Sequence, residues 1–273
     1  MNTVIPNFLY LSYPIINILV VIYQALLFLH IPSALGFSII VLTIAIRLVL
    51  YPLTASQLKA TKKMQELSPH LSNLKEKHKN DAKMLQSETM KLYKEHGVNP
   101  AAGCLPLIIQ LPLIFALYQV LNDVVKFNTV QINNVLYSFI PRLSKPWDLT
   151  FFGLPLAQSP SHLYQALPIV LIIPLLTGIF QFIQSKMMLI AVPKGALVKK
   201  EEKKKEADFA TAFQSQSLYI FPFMIAFFSW GFPIGLSLYW NTFTIFGIIQ
   251  QYKISGLGGL KDWTDKIYGS KNK

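Results

Sequence analysis

Charge is scarce in this chain. Lysine, arginine, aspartate and glutamate make up 14% of its 273 residues, where soluble domains carry about 25%. No charged side chain precedes Arg47, and Arg47 and Arg142 are the only arginines. With 52% hydrophobic residues and a mean hydropathy of +0.41, this excludes an ordinary soluble domain and points to a polytopic membrane protein. Cysteine is nearly missing: the single Cys104 rules out an internal disulfide and reads as a small apolar residue. Acidic residues are absent from the interior of every long apolar run, with Asp123 standing at the margin of one. That absence disfavours a proton relay. The runs also contain no Ser/His/Asp set, no phosphate-binding loop and no HExxH pair. Nothing therefore supports an enzyme, a cofactor or a metal site.

What is present is a series of apolar runs. A helix needs about 20 apolar residues to cross the hydrocarbon. Candidate spans cover 34–53, 104–125, 163–185, 217–231 and 234–252. The last two are halves of one run, broken at GFPIG (Gly231 to Gly235), where glycine and proline permit a tight turn. Residues 5–31 are also long and apolar. Hydropathy favours an uncleaved anchor there, while Asn7, Ser12, Pro14, Asn17, Gln24 and interspersed tyrosines also suit a helix lying in the interface.

The lysines fall between the runs. Residues 54–103 hold nine lysines against five acids, 186–216 seven against four, and the tail five against two. The 126–162 segment has only Lys126, Arg142 and Lys145, with Asp148. Basic loops stay in the cytoplasm, so the three lysine-rich segments are expected inside and 126–162 outside. The first basic segment reads as a helical pair. Met64, Leu67, Leu71, Leu74 and His78 form a narrow seam. Pro69 kinks or restarts the first helix. Asn80-Asp81 makes a turn and an N-cap, Gly97 a C-cap, and Asn99-Pro100 a stop. The pair is either a linker or, at about fifty residues, a docking arm. KKEEKKKE, Lys199 to Glu206, reads as a solvated run. The tail lysines fit the positive-inside signal, anionic lipid or ribosomal RNA.

Arg47 lies inside the first candidate span, where an arginine costs roughly 2.5–3.5 kcal/mol on insertion scales. It stands about six residues, roughly 9 Å, from the cytoplasmic end, so snorkelling is one explanation. Its neighbours offer another. Thr43 lies one turn away on the same face. Gln110, Tyr118 and Gln119, then Gln181 and Gln184, then Tyr239, Trp240, Asn241, Thr242 and Thr244 bring polar groups into the other spans. Interhelical hydrogen bonds and an aromatic belt account for such residues one at a time. A buried arginine without a carboxylate is nevertheless uncompensated. A water-filled cavity lined by these side chains resolves that problem and leaves Arg47 poised to receive a negative group.

Four stretches together resemble the YidC/Oxa/Alb membrane protein insertase family, in its short bacterial form. They are GFSIIVLTIAIRLVLYPLTASQ (Gly36 to Gln57), KKMQELSPHLSNLKEK (Lys62 to Lys77), LYKEHGVNPAAGCLPLIIQLPLIFALY (Leu92 to Tyr118) and FPIGLSLYWNTFTIFGIIQQ (Phe232 to Gln251). The resemblance implies an all-α polytopic membrane protein, with five transmembrane helices around an inner-leaflet hydrophilic groove, a cytoplasmic two-helix hairpin and an N-terminal interfacial helix. The expected order is an interfacial helix or uncleaved anchor (1–33), a first span (34–53), the cytoplasmic hairpin (54–103), a second span (104–125), an extracytoplasmic loop (126–162), a third span (163–185), a basic cytoplasmic loop (186–216), spans at 217–231 and 234–252, and a basic cytoplasmic tail (253–273).

The family's essential arginine falls on Arg47, its groove threonine on Thr43 and its substrate-contacting aromatic on Trp240. The groove is expected to hold Gln110, Tyr118, Gln181, Gln184, Tyr239, Asn241 and Thr244 as well. The implied function is insertion of newly made proteins into the bacterial plasma membrane, independently of the Sec translocon or with it. No cofactor and no DNA are expected. The implied partners are nascent membrane proteins, the ribosome, the Sec translocon, the signal recognition particle receptor and anionic lipids. The rival reading is a small-solute transporter or channel. The chain shows no repeated halves of the kind many transporters carry. A membrane scaffold without insertion activity is a third reading.

Overall fold

The structure is a computed structural model that describes residues 6–79, 81–99, 115–116, 118–120, 128–188, 207–261 and 263–264. It is mostly helical. In chain order the elements are α1 (Pro6–Phe28), α2 (Ala34–Val49), α3 (Tyr51–Glu66), α4 (Ser68–Lys77), α5 (Ala82–Glu95), α6 (Thr129–Val135), β1 (Thr150–Phe151), β2 (Leu154–Pro155), α7 (Pro160–Leu163), a 3-10 turn (Pro168–Leu171), α8 (Ile172–Met188), α9 (Ala207–Gly231), α10 (Ile234–Ser255) and a last 3-10 turn (Gly258–Leu260). The chain forms two compact units. One comprises Met1–Leu50, Leu107–Gly178 and Met224–Phe246; the other comprises Tyr51–Pro106, Ile179–Phe223 and Gly247–Lys273.

In the first unit α1 packs along α2. Ile15, Ile16, Leu19, Val20 and Tyr23 recur at helical spacing and are buried with Leu35, Ile39 and Leu42 of α2. The opposite faces are apolar too. Ile18 is 50% exposed and Leu48 58%, as expected of helices whose solvent is hydrocarbon. The α1–α2 connection is tight because α1 ends in a Schellman motif. His30 N–H donates to the Leu27 carbonyl and Ile31 N–H to that of Leu26, with His30 at φ 56°.

The 128–167 region is a built cap rather than a loose loop. Asn128 and Gln131 form a reciprocal capping box on α6. The Asn17 side chain of α1 donates to the Val135 carbonyl at 3.0 Å and accepts from Tyr137 N–H at 2.7 Å. Asn133 exchanges two bonds with the Leu143 backbone. Trp147 packs on Tyr23, ring centroids 4.9 Å apart. The two strands pair Thr150 with Pro155 and Phe151 with Leu154. Their two-residue turn, Phe152-Gly153, has φ values of 49° and 81°, which is the type I′ pattern. A left-handed conformation costs a non-glycine residue roughly 1–2 kcal/mol, so Phe152 occupies a position that suits Asn or Gly better.

The first span was expected to run to Leu53, but α2 stops at Val49 and α3 begins at Tyr51. Pro52 is the cause: it lacks an N–H for the Leu48 carbonyl, and its ring crowds that carbonyl.

In the second unit α3 ends at Glu66, and Pro69, in the first turn of α4, restarts the helix. Leu67 is buried and Met64, Leu71, Leu74 and His78 are half-buried along the expected seam, while α4 packs on α5. Asp81 caps α5 by accepting from Met84 N–H at 2.9 Å. Gly97 at φ 62° closes α5 in a Schellman motif, with Gly97 N–H on Lys94 and Val98 N–H on Tyr93. Asn80 and Pro100 of the expected turn and stop lie outside the described residues, as do Cys104, the Lys199 to Glu206 run and the last tail lysines.

At the end of α10, Gln250 Nε2 donates to Thr54 Oγ1 at 2.6 Å. Beyond α10 the chain turns at Gly256 and Gly258, both at positive φ. Gly258 sits against the Met187 backbone carbonyl of α8. Trp263 then packs on Phe182 at 5.8 Å, and Lys186 Nζ lies 5.4 Å from the Trp263 ring. The first residues of the expected tail are thus docked.

Among the described residues, Pro168–Met188 is by itself long and apolar enough to cross a membrane. The α2 and α3 helices meet that test as a broken pair, and Ser12–Phe28 and Leu218–Gly231 are shorter apolar helices. The break between α9 and α10 falls at Phe232-Pro233, within the GFPIG stretch.

Candidate functional site, a buried arginine on an aromatic helix face

Arg47 is 5% exposed. Its one-turn neighbour Thr43 is 1% exposed and donates to the Ile39 carbonyl of its own helix at 2.6 Å. The arginine reaches α10 instead. Its Nη2 donates to the Phe243 carbonyl at 2.7 Å. The guanidinium carbon lies 3.3 Å from the Phe243 ring centroid and 5.9 Å from that of Phe246. Tyr239, Phe243 and Phe246 are spaced four and three apart, so they share one face of α10. Tyr239 is fully buried, its ring 5.8 Å from Phe243.

The charge is therefore met by a carbonyl dipole and π-faces. A cation over an aromatic face gains about 0.5–2 kcal/mol, and a hydrogen bond to a charged group about 1.5–3 kcal/mol. Arg47 Nε remains buried without a partner among the described residues, as do Gln119 Oε1 and Asn241 Oδ1. Polar groups in that state cost about 1–3 kcal/mol each.

Trp240, one residue on from Tyr239, points to a different neighbourhood. It is half-buried and lines a small cavity with Thr177, Ser229, Ser237, Ile225 and Leu236. Here three hydroxyls join three helices: Thr177 Oγ1 lies 3.2 Å from Ser229 Oγ, which lies 2.9 Å from Ser237 Oγ. Thr177 spends its single proton on the Ile173 carbonyl at 2.8 Å. Each hydroxyl has one proton, so Ser229 donates to Thr177 and Ser237 donates to Ser229.

The other expected site residues are more dispersed. Thr244 is buried, Asn241 half-buried, and Tyr118 is 40% exposed with its ring 6.1 Å from Phe232. Gln181 is 7% exposed and Gln184 half-buried; both belong to the second unit. Gln110 lies outside the described residues. The sequence reading missed Phe243 and Phe246, which pass for ordinary apolar residues of a span, and it missed Thr177, Ser229 and Ser237. A signal existed for the phenylalanines, since both share a helix face with Tyr239.

Comparison with known proteins supplies the family. The model for the 60Kd inner membrane protein family matches residues 26–257. The membrane protein insertase YidC of Fusobacterium nucleatum is 35% identical over 223 residues, covering 82% of this chain and 87% of that protein. The protein of the same name from Chlorobium luteolum is 32% identical over 227 residues, 83% of this chain and 34% of the relative. That from Leptospira interrogans serovar Lai is 33% identical over 217 residues, 80% and 30%. The chain thus spans most of the Fusobacterium protein and about a third of the other two. A crystal structure described as an active YidC insertase with its first transmembrane domain resolved aligns at a TM-score of 0.54 with 22% identity, covering 91% of this chain and 47% of that one. This last likeness concerns the fold. By the extent of the family match and the identity to the Fusobacterium protein, the chain belongs to the 60Kd inner membrane protein family, that of the YidC membrane protein insertases.

Proposed function

We propose that this protein inserts newly made membrane proteins into the lipid bilayer, and that Arg47 is the group that draws in the polar part of the substrate. The observation that carries the reading is the environment of Arg47. It is buried, it is met by a carbonyl and two aromatic rings, and it keeps an unpartnered Nε. The remaining donor capacity suits a carboxylate or carbonyl of a passing chain, with a Coulomb attraction strengthened by low-dielectric surroundings. Asn241 Oδ1 and Gln119 Oε1 offer acceptors in the same unit. Polar atoms left in this state are relieved by water or by substrate.

In this proposal the five spans, from 34–53 to 234–252, surround a groove hydrated from the cytoplasmic side, and the 126–162 cap closes the outer side. Residues 1–33 form an interfacial helix. The polar tail of a substrate crosses part of the bilayer in water, beside Arg47. Its apolar segment of about 20 residues then leaves sideways into lipid, driven by burial. Thr43, Tyr118, Gln181, Gln184, Tyr239, Trp240 and Thr244 line the route together with Gln110. The α4–α5 hairpin meets the nascent chain, the Sec translocon or the signal recognition particle receptor. The lysine-rich tail meets the ribosome or anionic lipid. No step requires a nucleotide.

The test is photo-crosslinking from Trp240 and Asn241 to ribosome-bound nascent membrane proteins, with the exposed α2 residue Val41 (41% exposed) as reference. Adducts from positions 240 and 241 that exceed those from 41, and that vanish when the nascent chain is released, are expected. Adducts equal at all three positions, or absent while ribosomes remain bound, would refute the route.

A further inference from the structure

The tip of the β1–β2 hairpin carries an aromatic residue where turn chemistry favours a small polar one. Phe152 stands first in the type I′ turn at φ 49°, a position dominated by Asn, Asp and Gly. Its side chain is 70% exposed, so burial in the protein core does not explain the choice. Nor is the tip loose. Phe152 N–H donates to the hydroxyl of Ser33 at 3.1 Å, across 119 residues of sequence. The ring meets Phe151 at 4.8 Å and Phe37 of α2 at 5.9 Å, both edge to face. Phe151 in turn packs so close to Gly36 that any side chain there would collide with its ring. The hairpin is thus braced on the first turn of α2 and holds Phe152 outward in one orientation.

The surroundings name the partner. The corner that supplies Ser33 follows Phe28, the last residue of α1, and starts with Leu29; the two are 83% and 63% exposed. Phe37 belongs to α2, whose outer face is apolar at Val41, Ile44 and Leu48. The 126–162 segment carries only four charged residues in all. The exposed aromatic surface at the tip therefore continues the apolar outer face of α2, while the charge on the hairpin lies at its base, where the exposed Asp148 accepts from Thr150 N–H at 3.0 Å and from its hydroxyl at 2.7 Å.

We propose that Phe152 is a lipid anchor: the hairpin tip inserts into the leaflet on the cap side of the membrane, and fixes the depth at which the cap and the α1–α2 connection sit. Burial of the ring in acyl chains offsets the unfavourable backbone conformation that presents it. This inference rests on family membership and on the cap geometry, and is independent of how Arg47 acts.

The experiment places a nitroxide at position 152 by Phe152→Cys in a Cys104→Ser background, with Lys145→Cys as an aqueous reference on the same cap. The protein is reconstituted in nanodiscs of phosphatidylethanolamine and phosphatidylglycerol. Power saturation compares dissolved oxygen, which partitions into lipid, with a water-soluble nickel chelate. Oxygen is expected to dominate at 152 and nickel at 145, an inversion between two sites of one cap. Nickel dominating at both would overturn the proposal. Spin–spin broadening at 152 with both reagents excluded would also overturn it, in favour of a second copy of the chain. Phe152→Asn, which suits the turn, gives an independent reading. Stability in detergent is expected to hold or rise, whereas a clear loss would make Phe152 a packing residue of the Phe37 cluster.

Discussion

Arg47 and Phe243 are joined twice: the guanidinium lies on the Phe243 ring at 3.3 Å and donates to the Phe243 carbonyl at 2.7 Å. One contact depends on the ring and the other on the backbone, so substitution can separate them. Phe243→Leu keeps the carbonyl and removes the π-face, with an expected stability loss of about 0.5–2 kcal/mol beyond that of the same change at Phe221, which is likewise half-buried. Thermal unfolding in detergent measures it. An equal loss at both sites would show that the stack contributes nothing.

Arg47→Ala is expected to impair insertion of substrates with acidic translocated tails more than those with neutral tails. Arg47→Lys keeps the charge but loses the planar stack, and should fall between wild type and Ala on acidic tails. Insertion assays with tail variants decide this. An equal loss for both kinds of tail would assign Arg47 a purely structural role.

Ser229 is the middle of the three-hydroxyl chain, so Ser229→Ala removes two interhelical bonds. Such bonds average about 0.6 kcal/mol in membrane proteins, and the expected cost is about 1 kcal/mol. Ser144→Ala, at an exposed position of the cap, should be nearly silent. A double-mutant cycle between Thr177→Val and Ser237→Ala should show coupling through Ser229, even though these two hydroxyls are linked only through it.

Gly258 and Gly97 both have positive φ, at 51° and 62°, but only Gly258 lies against another chain segment, the Met187 carbonyl. Alanine at Gly97 should cost only the backbone term, about 1 kcal/mol. Alanine at Gly258 adds a backbone clash and should release the segment bearing Trp263 from α8. Hydrogen exchange and limited proteolysis of 256–264 are expected to rise for Gly258→Ala and to stay unchanged for Gly97→Ala.

His30 gives a prediction of the opposite sign. It holds the left-handed position of the Schellman motif that ends α1, where glycine carries no penalty. His30→Gly is expected to raise stability by about 0.5–1 kcal/mol, read from the melting temperature. A fall would mean that the His30 ring contributes contacts exceeding its backbone cost.

The sequence by itself determined the local features. Scarcity of charge and the length of the apolar runs identified a membrane protein, because every buried charge is expensive in hydrocarbon. Pro69, Asp81 and Gly97 marked helix boundaries, because a missing N–H, a capping carboxylate and a permissive backbone act on their immediate neighbours. Arg47 stood out for the same reason: an arginine in an apolar run is costly whatever surrounds it. Pairings across distance belonged to the tertiary structure. That Arg47 settles on Phe243 depends on the register of α2 against α10. Trp240 faces the Ser229 hydroxyl chain while its neighbour Tyr239 leads to Phe243, because adjacent helical residues point about 100° apart. The cap built on Asn17, and the Ser33 hydroxyl that holds Phe152, join residues more than a hundred positions apart. Neither side of such a contact carries a signal in the chain, because the hydrogen bond exists only once both segments are folded.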